Sequence, residues 1–117
     1  MEDRKPTVLI VARDADTAND VGNLVRACDC IAWFAGNDET IPQALVRLRP
    51  DVVMLDTARP ATDLDRAAAM ASAVNANIVL FGDEEPGLRE IARARGLRSV
   101  ALEAPARAFG YAIKGTA

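Results

Sequence analysis

The sequence contains no histidine. Ser-His-Asp triads, histidine metal sites and the phosphohistidine of relay modules are thereby excluded together. Cysteine is nearly as scarce. Cys28 and Cys30 form one Cys-x-Cys pair, with too few ligands for a metal site and without the Cys-x-x-Cys spacing of redox motifs, so both read as reduced structural thiols. Aromatic residues are only 4% of the chain while alanine is abundant, which predicts a thin core with helices lying close to a sheet. No apolar run approaches the ~20 residues of a membrane span. The N-terminus, Met1-Glu2-Asp3-Arg4-Lys5, lacks the apolar region of a signal peptide, so the expected location is cytoplasmic. The net charge of −3 argues against a general nucleic-acid binder.

What the chain does have is apolar runs in regular alternation with amphipathic segments. Its 117 residues leave room for one domain, expected over 1–117, burying roughly two thirds of the unfolded surface. Thr7 to Ala12 reads as a continuous apolar strand. Asp14 can cap the following helix, in which Ala18, Val21, Leu24, Val25 and Cys28 recur at helical spacing. Ile31 to Ala35 reads as a second strand and Gly36-Asn37-Asp38 as a turn. A second helix buries Ile41, Ala44, Leu45 and Leu48, carries Pro42 in its first turn and stops at Pro50.

Four apolar residues, Val52 to Leu55, then mark a strand buried on both faces, ending in an acid, Asp56. Asp63 is the expected N-cap of a third helix with Leu64, Ala67, Ala68, Ala71 and Val74 inward. Asn77 to Gly82 is the fourth strand. The fourth helix starts near Pro86, buries Leu88, Ile91 and Ala92, and ends at Gly96. Ser99 to Leu102 is the fifth strand, and a last helix begins near Pro105 with Phe109, Ala112 and Ile113 inward. Five strand–helix units with non-alternating strands predict an α/β fold: a (βα)5 doubly wound parallel five-stranded sheet of order 2-1-3-4-5. Asp56 then sits at the carboxyl end of a central strand, where such sheets place functional groups.

These residues resemble the receiver domains of two-component response regulators, the CheY-like family. Pro50-Asp51-Val52-Val53-Met54-Leu55-Asp56-Thr57-Ala58-Arg59-Pro60 is similar to that family's third strand, acceptor aspartate and the proline four residues on. Asp63 falls where the family often has an acid, Val8-Leu9-Ile10-Val11 looks like its first strand, and Pro105 matches the proline after its lysine. The likeness runs from about Thr7 to Ile113. It implies two-component signalling, a phosphorelay role for Asp56 and no independent enzyme activity.

The family's chemistry uses an acceptor aspartate, two acids after strand one that hold a divalent ion, a hydroxyl ending strand four and a lysine ending strand five. The cation and lysine neutralise the incoming phosphoryl oxygens, and the hydroxyl binds one of them. Here Asp56 matches the acceptor, but the acid pair falls on Ala12 and Arg13, with Asp14 one residue too far along. The hydroxyl position is Gly82, the lysine position is Ala104, and the switch aromatic aligns with Ala101. The resemblance therefore implies a degenerate site: a pseudo-receiver acting through protein–protein interaction without phosphorylation.

A fixed cation at Arg13 would take the place of the metal, pair with Asp56 and hold its pKa down; the alternative has Arg13 pointing to solvent. No cofactor is expected, with Mg²⁺, held by Asp56 and Asp14, only if the site is active. A phosphorylatable receiver accepting phosphate on Asp56 from a histidine kinase is the first alternative. A small flavodoxin-like ligand-binding domain is the second, although no glycine-rich phosphate loop supports it. A haloacid-dehalogenase-type phosphatase would want an acid at Ala58.

Asn77-Ile78-Val79-Leu80-Phe81-Gly82-Asp83-Glu84-Glu85-Pro86 and the Arg-rich helix after it also resemble AmiR/NasT-type receivers, which often carry a degenerate site. The acidic Asp83-Glu84-Glu85 turn suits the start of a helix on electrostatic grounds alone. Partners are expected to be signalling proteins, not nucleic acid or membrane. The expected contact surface is helix four, strand five and helix five, including Arg89, Arg93 and Phe109, with Arg95 on the same solvent face; a homodimer would use it too.

Overall fold

Apolar runs and capped helices alternate along the chain, and in the computed structural model, which describes residues 5–35, 39–58, 61–83 and 86–115, they become five strands and five helices. In order these are β1 (Thr7–Val11), α1 (Ala15–Ala27), β2 (Ile31–Phe34), α2 (Ile41–Leu48), β3 (Val52–Asp56), α3 (Ala61–Ala73), β4 (Asn77–Gly82), α4 (Pro86–Ala94), β5 (Arg98–Ala101) and α5 (Ala106–Lys114). The strands pair in parallel in the order β2-β1-β3-β4-β5, as the sequence predicts. The expected turn at Gly36-Asn37-Asp38, together with Arg59, Pro60, Glu84 and Glu85, lies outside the described residues.

Local signals start and stop the helices. The Asp14 carboxylate accepts from the Thr17 amide at 2.7 Å and caps α1. Thr40 and Gln43 exchange side-chain bonds with each other's backbone in a capping box ahead of α2. Arg49 turns left-handed at φ 45°, just before Pro50. The first two strands end one residue earlier than predicted, and β5 is shifted one residue towards the N-terminus. Asp63 is not an N-cap: α3 begins two residues before it, leaving Asp63 in the first turn, where a carboxylate still complements the helix dipole.

Alternation along the strands builds a core on each face of the sheet. Val8, Ile10, Met54, Val79 and Phe81 face α1 and α5, meeting Val21, Val25, Phe109 and Ile113. Leu9, Val11, Val53, Leu55 and Leu80 face α2, α3 and α4, meeting Leu45, Leu64, Ala67 and Leu88. Each fully buried aliphatic or aromatic side chain contributes about 1.5–3 kcal/mol by leaving water, so β3, buried along its whole length, anchors both layers. Beyond the sheet's amino edge, Asp51 accepts from both the amide and hydroxyl of Thr7, stapling the starts of β1 and β3 together.

The strand order reverses between β1 and β3, the switch point where doubly wound sheets open a crevice. Register pairs Val11 with Leu55, which brings the residues just past β1 beside the last residue of β3. Those residues are Ala12, Arg13 and Asp56.

Candidate functional site

Asp56 is the one charged residue among the described residues that is buried, at 0% exposure. An isolated carboxylate in that position would be neutralised by protonation or would destabilise the fold. Instead both of its oxygens are fully engaged. Arg13 donates from Nε to Oδ2 at 2.7 Å and from Nη2 to Oδ1 at 2.9 Å. The Arg13 amide adds a bond to Oδ2 and the Ala58 amide one to Oδ1, each at 2.9 Å. This planar fork on a carboxylate is geometry that guanidinium offers and ammonium does not.

The fork sets the charge state. Burial pushes the Asp56 carboxyl up, but the bonds from the Arg13 side chain and from the Ala58 and Arg13 amides outweigh it, and the group stays below its ordinary value. The Arg13 guanidinium is correspondingly held above its ordinary value, mainly by its bonds to Asp56. Arg13 therefore points inward onto Asp56, with its side chain 29% exposed, rather than out to solvent. Its Nη1 also reaches Asp83 just past β4, at 3.3 Å. Asp83 is 55% exposed, so that second pair contributes at most about 1 kcal/mol.

A divalent ion at this corner would need acidic ligands around Asp56, and the residues present do not fit one. Ala12 offers no ligand, and Arg13 places a cation in direct contact with the carboxylate. Asp14 is occupied as the cap of α1, which lowers its own pKa through the Thr17 amide. Among the described residues no group of three or more Cys, Asp or Glu could hold a metal ion.

The remaining positions show how the pocket is filled. Gly82 ends β4 with no side chain, and a Cβ built there would collide with the Thr57 hydroxyl oxygen. The space that a longer residue at 82 would enter is thus taken by Thr57, the residue after Asp56, whose amide also donates to the Phe81 carbonyl at 2.9 Å. Ala104 packs its methyl against the α1–α5 core, and its amide donates to Ala101 in the turn before α5. Ala58 contributes its amide alone. Ala58 was expected beside this site, and its amide is indeed on Asp56; sequence reasoning missed Thr57 and Asp83 as neighbours. No periodicity signal marks Thr57, whose approach to Gly82 depends on its rotamer.

The expected contact surface needs one correction. Arg89 and Arg93 are exposed on α4, but Phe109 is fully buried against the sheet and cannot offer its side chain to a partner. Its place in the inward stripe of α5, with Ala112 and Ile113, is the physical reason. Arg95 is drawn towards α3, donating to Asp65 at 3.0 Å, and is not part of a free basic stripe. Beside Arg13 a cleft of about 770 Å³ opens between the starts of α1 and α2, bordered by Phe34, Glu39, Ile41, Asp63 and Arg66.

No protein-family model matches the chain, and no curated protein matches it in sequence. Solved structures do match it over nearly its full length. A response regulator receiver protein from Burkholderia phymatum is 22% identical, with a TM-score of 0.76, covering 97% of this chain and 98% of its own. A putative response regulator from Chloroflexus aurantiacus J-10-fl is 18% identical with a TM-score of 0.78, covering 96% and 97%. The Vibrio cholerae chemotaxis protein CheY4 is 15% identical with a TM-score of 0.72, covering 97% and 100%. Likeness at these identities is likeness of fold, and the chain has the CheY-like fold of response regulator receivers.

Proposed function

We propose that this chain is a pseudo-receiver: a signalling module that works through protein contact and needs neither phosphoryl transfer nor a metal ion. The observation that carries this reading is the Arg13 fork on the fully buried Asp56. A carboxylate nucleophile must present a free lone pair to phosphorus, and here both oxygens already accept two hydrogen bonds each. The oriented donors that would stabilise the transferring group are lacking too, with Gly82 and Ala104 at their positions. Losing one such donor typically costs about 10²–10³ in rate, and such losses do not simply add.

In place of a switch driven by a phosphoryl group and a metal, Arg13 supplies a permanent positive charge that holds the ends of β1 and β3 together. The signalling surface then has one resting arrangement, with Arg89 and Arg93 of α4 available to a protein partner. The chain has no catalytic role of its own in this reading, and the partner supplies the output. A flavodoxin-like ligand binder finds less support: Arg13, Asp14 and Glu39 border the cleft, yet each is already engaged by Asp56, the α1 amides or Arg47.

The test is to incubate the protein with acetyl phosphate, or with beryllofluoride, and Mg²⁺, and to follow intact mass and fluorine NMR. No metal-dependent adduct is expected. An adduct that Asp56→Asn abolishes would overturn the proposal in favour of a phosphorylatable receiver fed by a histidine kinase.

A further inference from the structure

On the α1–α5 side of the sheet, away from Asp56, the two helices part around a groove of about 410 Å³. Its floor is made of small residues, Ala27 and Cys28 from the end of α1 and Ala106 and Gly110 from α5. A Cβ at Gly110 would lie 3.4 Å from the Cys28 sulfur, so the missing side chain is what keeps the floor low. The Cys28 thiol donates to the Ala106 carbonyl at 3.0 Å, and burial raises its pKa, which leaves it a neutral packing group.

The rim has a different character. Arg107, Tyr111 and Lys114 follow one another on α5 at spacings of four and three, which puts them along one face. All three are exposed, and Tyr111, at 51%, is among the few large apolar groups that face solvent. Among the described residues no acidic side chain borders the groove, and neither Arg107 nor Lys114 makes an ion pair. In a chain of net charge −3 this is a local reversal of sign. Tyrosine and arginine around a small apolar floor are the composition of interface cores.

We propose that this groove docks an acidic amphipathic helix of a partner protein. One apolar side chain of that helix rests on the floor over Cys28 and Gly110, and carboxylates two turns apart meet Arg107 and Lys114. The spacing follows from the rim, where the two cations stand seven residues, about 10 Å of rise, apart on α5. A helix is the natural occupant because a third helix seats its ridge between two others. Two cations beside an apolar floor are too few and too dry for a nucleic-acid backbone. This docking does not depend on the state of Asp56, so it stands or falls separately from the pseudo-receiver reading.

The full chain, labelled with nitrogen-15, is titrated with a helical peptide of about four turns that carries Leu at adjacent inner positions and Glu seven residues apart. A twin peptide with Lys for Glu is the control. Amide shifts centred on Ala27, Cys28, Gly110 and Tyr111 are expected with the acidic peptide. Arg107→Glu combined with Lys114→Glu should weaken binding about fivefold to tenfold, the effect of two exposed ion pairs, and added salt should act in the same direction. Gly110→Leu should fill the groove and remove the shifts, while the spectrum outside α1 and α5 stays folded. Equal binding of the twin, shifts confined to the Arg89–Arg93 face of α4, or no shifts at millimolar peptide would each overturn the proposal. So would a concentration-dependent dimer that the double charge reversal dissociates, because the occupant would then be a second copy.

Discussion

Arg13 and Asp56 form a two-pronged ion pair across the seam between β1 and β3, with Nε 2.7 Å from Oδ2 and Nη2 2.9 Å from Oδ1. One partner is wholly buried and the other keeps part of its side chain in water. That asymmetry matters for what the pair does. Asp56 cannot solvate its charge and depends on Arg13, whereas Arg13 could find water without Asp56. The pair therefore acts as a fixed countercharge for the acid, at the point of the sheet where its topology opens a crevice.

Removing the cation should consequently hurt more than removing the acid. Arg13→Ala is expected to destabilise the fold by about 2–3 kcal/mol at neutral pH, below the ~3–5 kcal/mol of a fully buried broken pair because Arg13 is partly exposed. Asp56→Asn should cost less. The pH dependence has a definite sign. The folded pKa of Asp56 lies below its unfolded value, so the stabilisation is complete above the unfolded value near 4 and is lost as pH falls through the folded value. Urea denaturation of wild type and Arg13→Ala across that range should show the gap between them closing towards acid. A gap that stays constant with pH would mean the pair contributes packing rather than charge.

If Arg13 stands where a cation is required, exchanging it for an acid should create a demand for one. Arg13→Asp places a second carboxylate beside the buried Asp56, and the variant should be less stable than Arg13→Ala in the absence of divalent ions. Mg²⁺ should then restore stability, by about 1.4 kcal/mol at ten times its dissociation constant, a rise of about 6 °C in Tm for a chain this size. Wild type should show no such rise. Thermal unfolding with and without Mg²⁺, with Ca²⁺ as a second probe, measures both. A variant indifferent to either ion would remove the equivalence between guanidinium and metal.

Much of this was legible before folding, for identifiable reasons. The run Val52–Leu55 read as a strand buried on both faces, and five strand–helix units in a chain of this length pointed to the doubly wound order that the sheet has. The Arg13–Asp56 pair was readable as one of two options, because the expected strand order places the carboxyl ends of β1 and β3 side by side, and the structure selects it over Arg13 in solvent. The Thr57–Gly82 contact was not, since it depends on one side-chain rotamer between adjacent strand ends, about which periodicity says nothing. Phe109 shows a different failure. Its inward spacing was read correctly, yet it was also assigned to a surface, and a side chain on the buried stripe of α5 cannot serve both.

The Thr57–Gly82 contact yields a prediction in which the sign of a substitution depends on its neighbour. Glycine inside a strand is ordinarily a weakness, and alanine there should be neutral or stabilising. At Gly82 a Cβ meets the Thr57 hydroxyl oxygen instead. Thr57 could relieve this only in the one χ1 rotamer that turns a hydrogen towards residue 82, because the other two present the hydroxyl or the methyl. Gly82→Ala is therefore expected to destabilise by about 1 kcal/mol in the wild-type background, at the lower end of overpacking costs, since a single side chain must move. In a Thr57→Ala background the same substitution should become neutral or favourable, a coupling of about 1–2 kcal/mol in a double-mutant cycle. Urea midpoints of the four proteins measure it. Simple additivity would show that Thr57 does not occupy the space of a residue-82 side chain, and that Gly82 is kept for another reason.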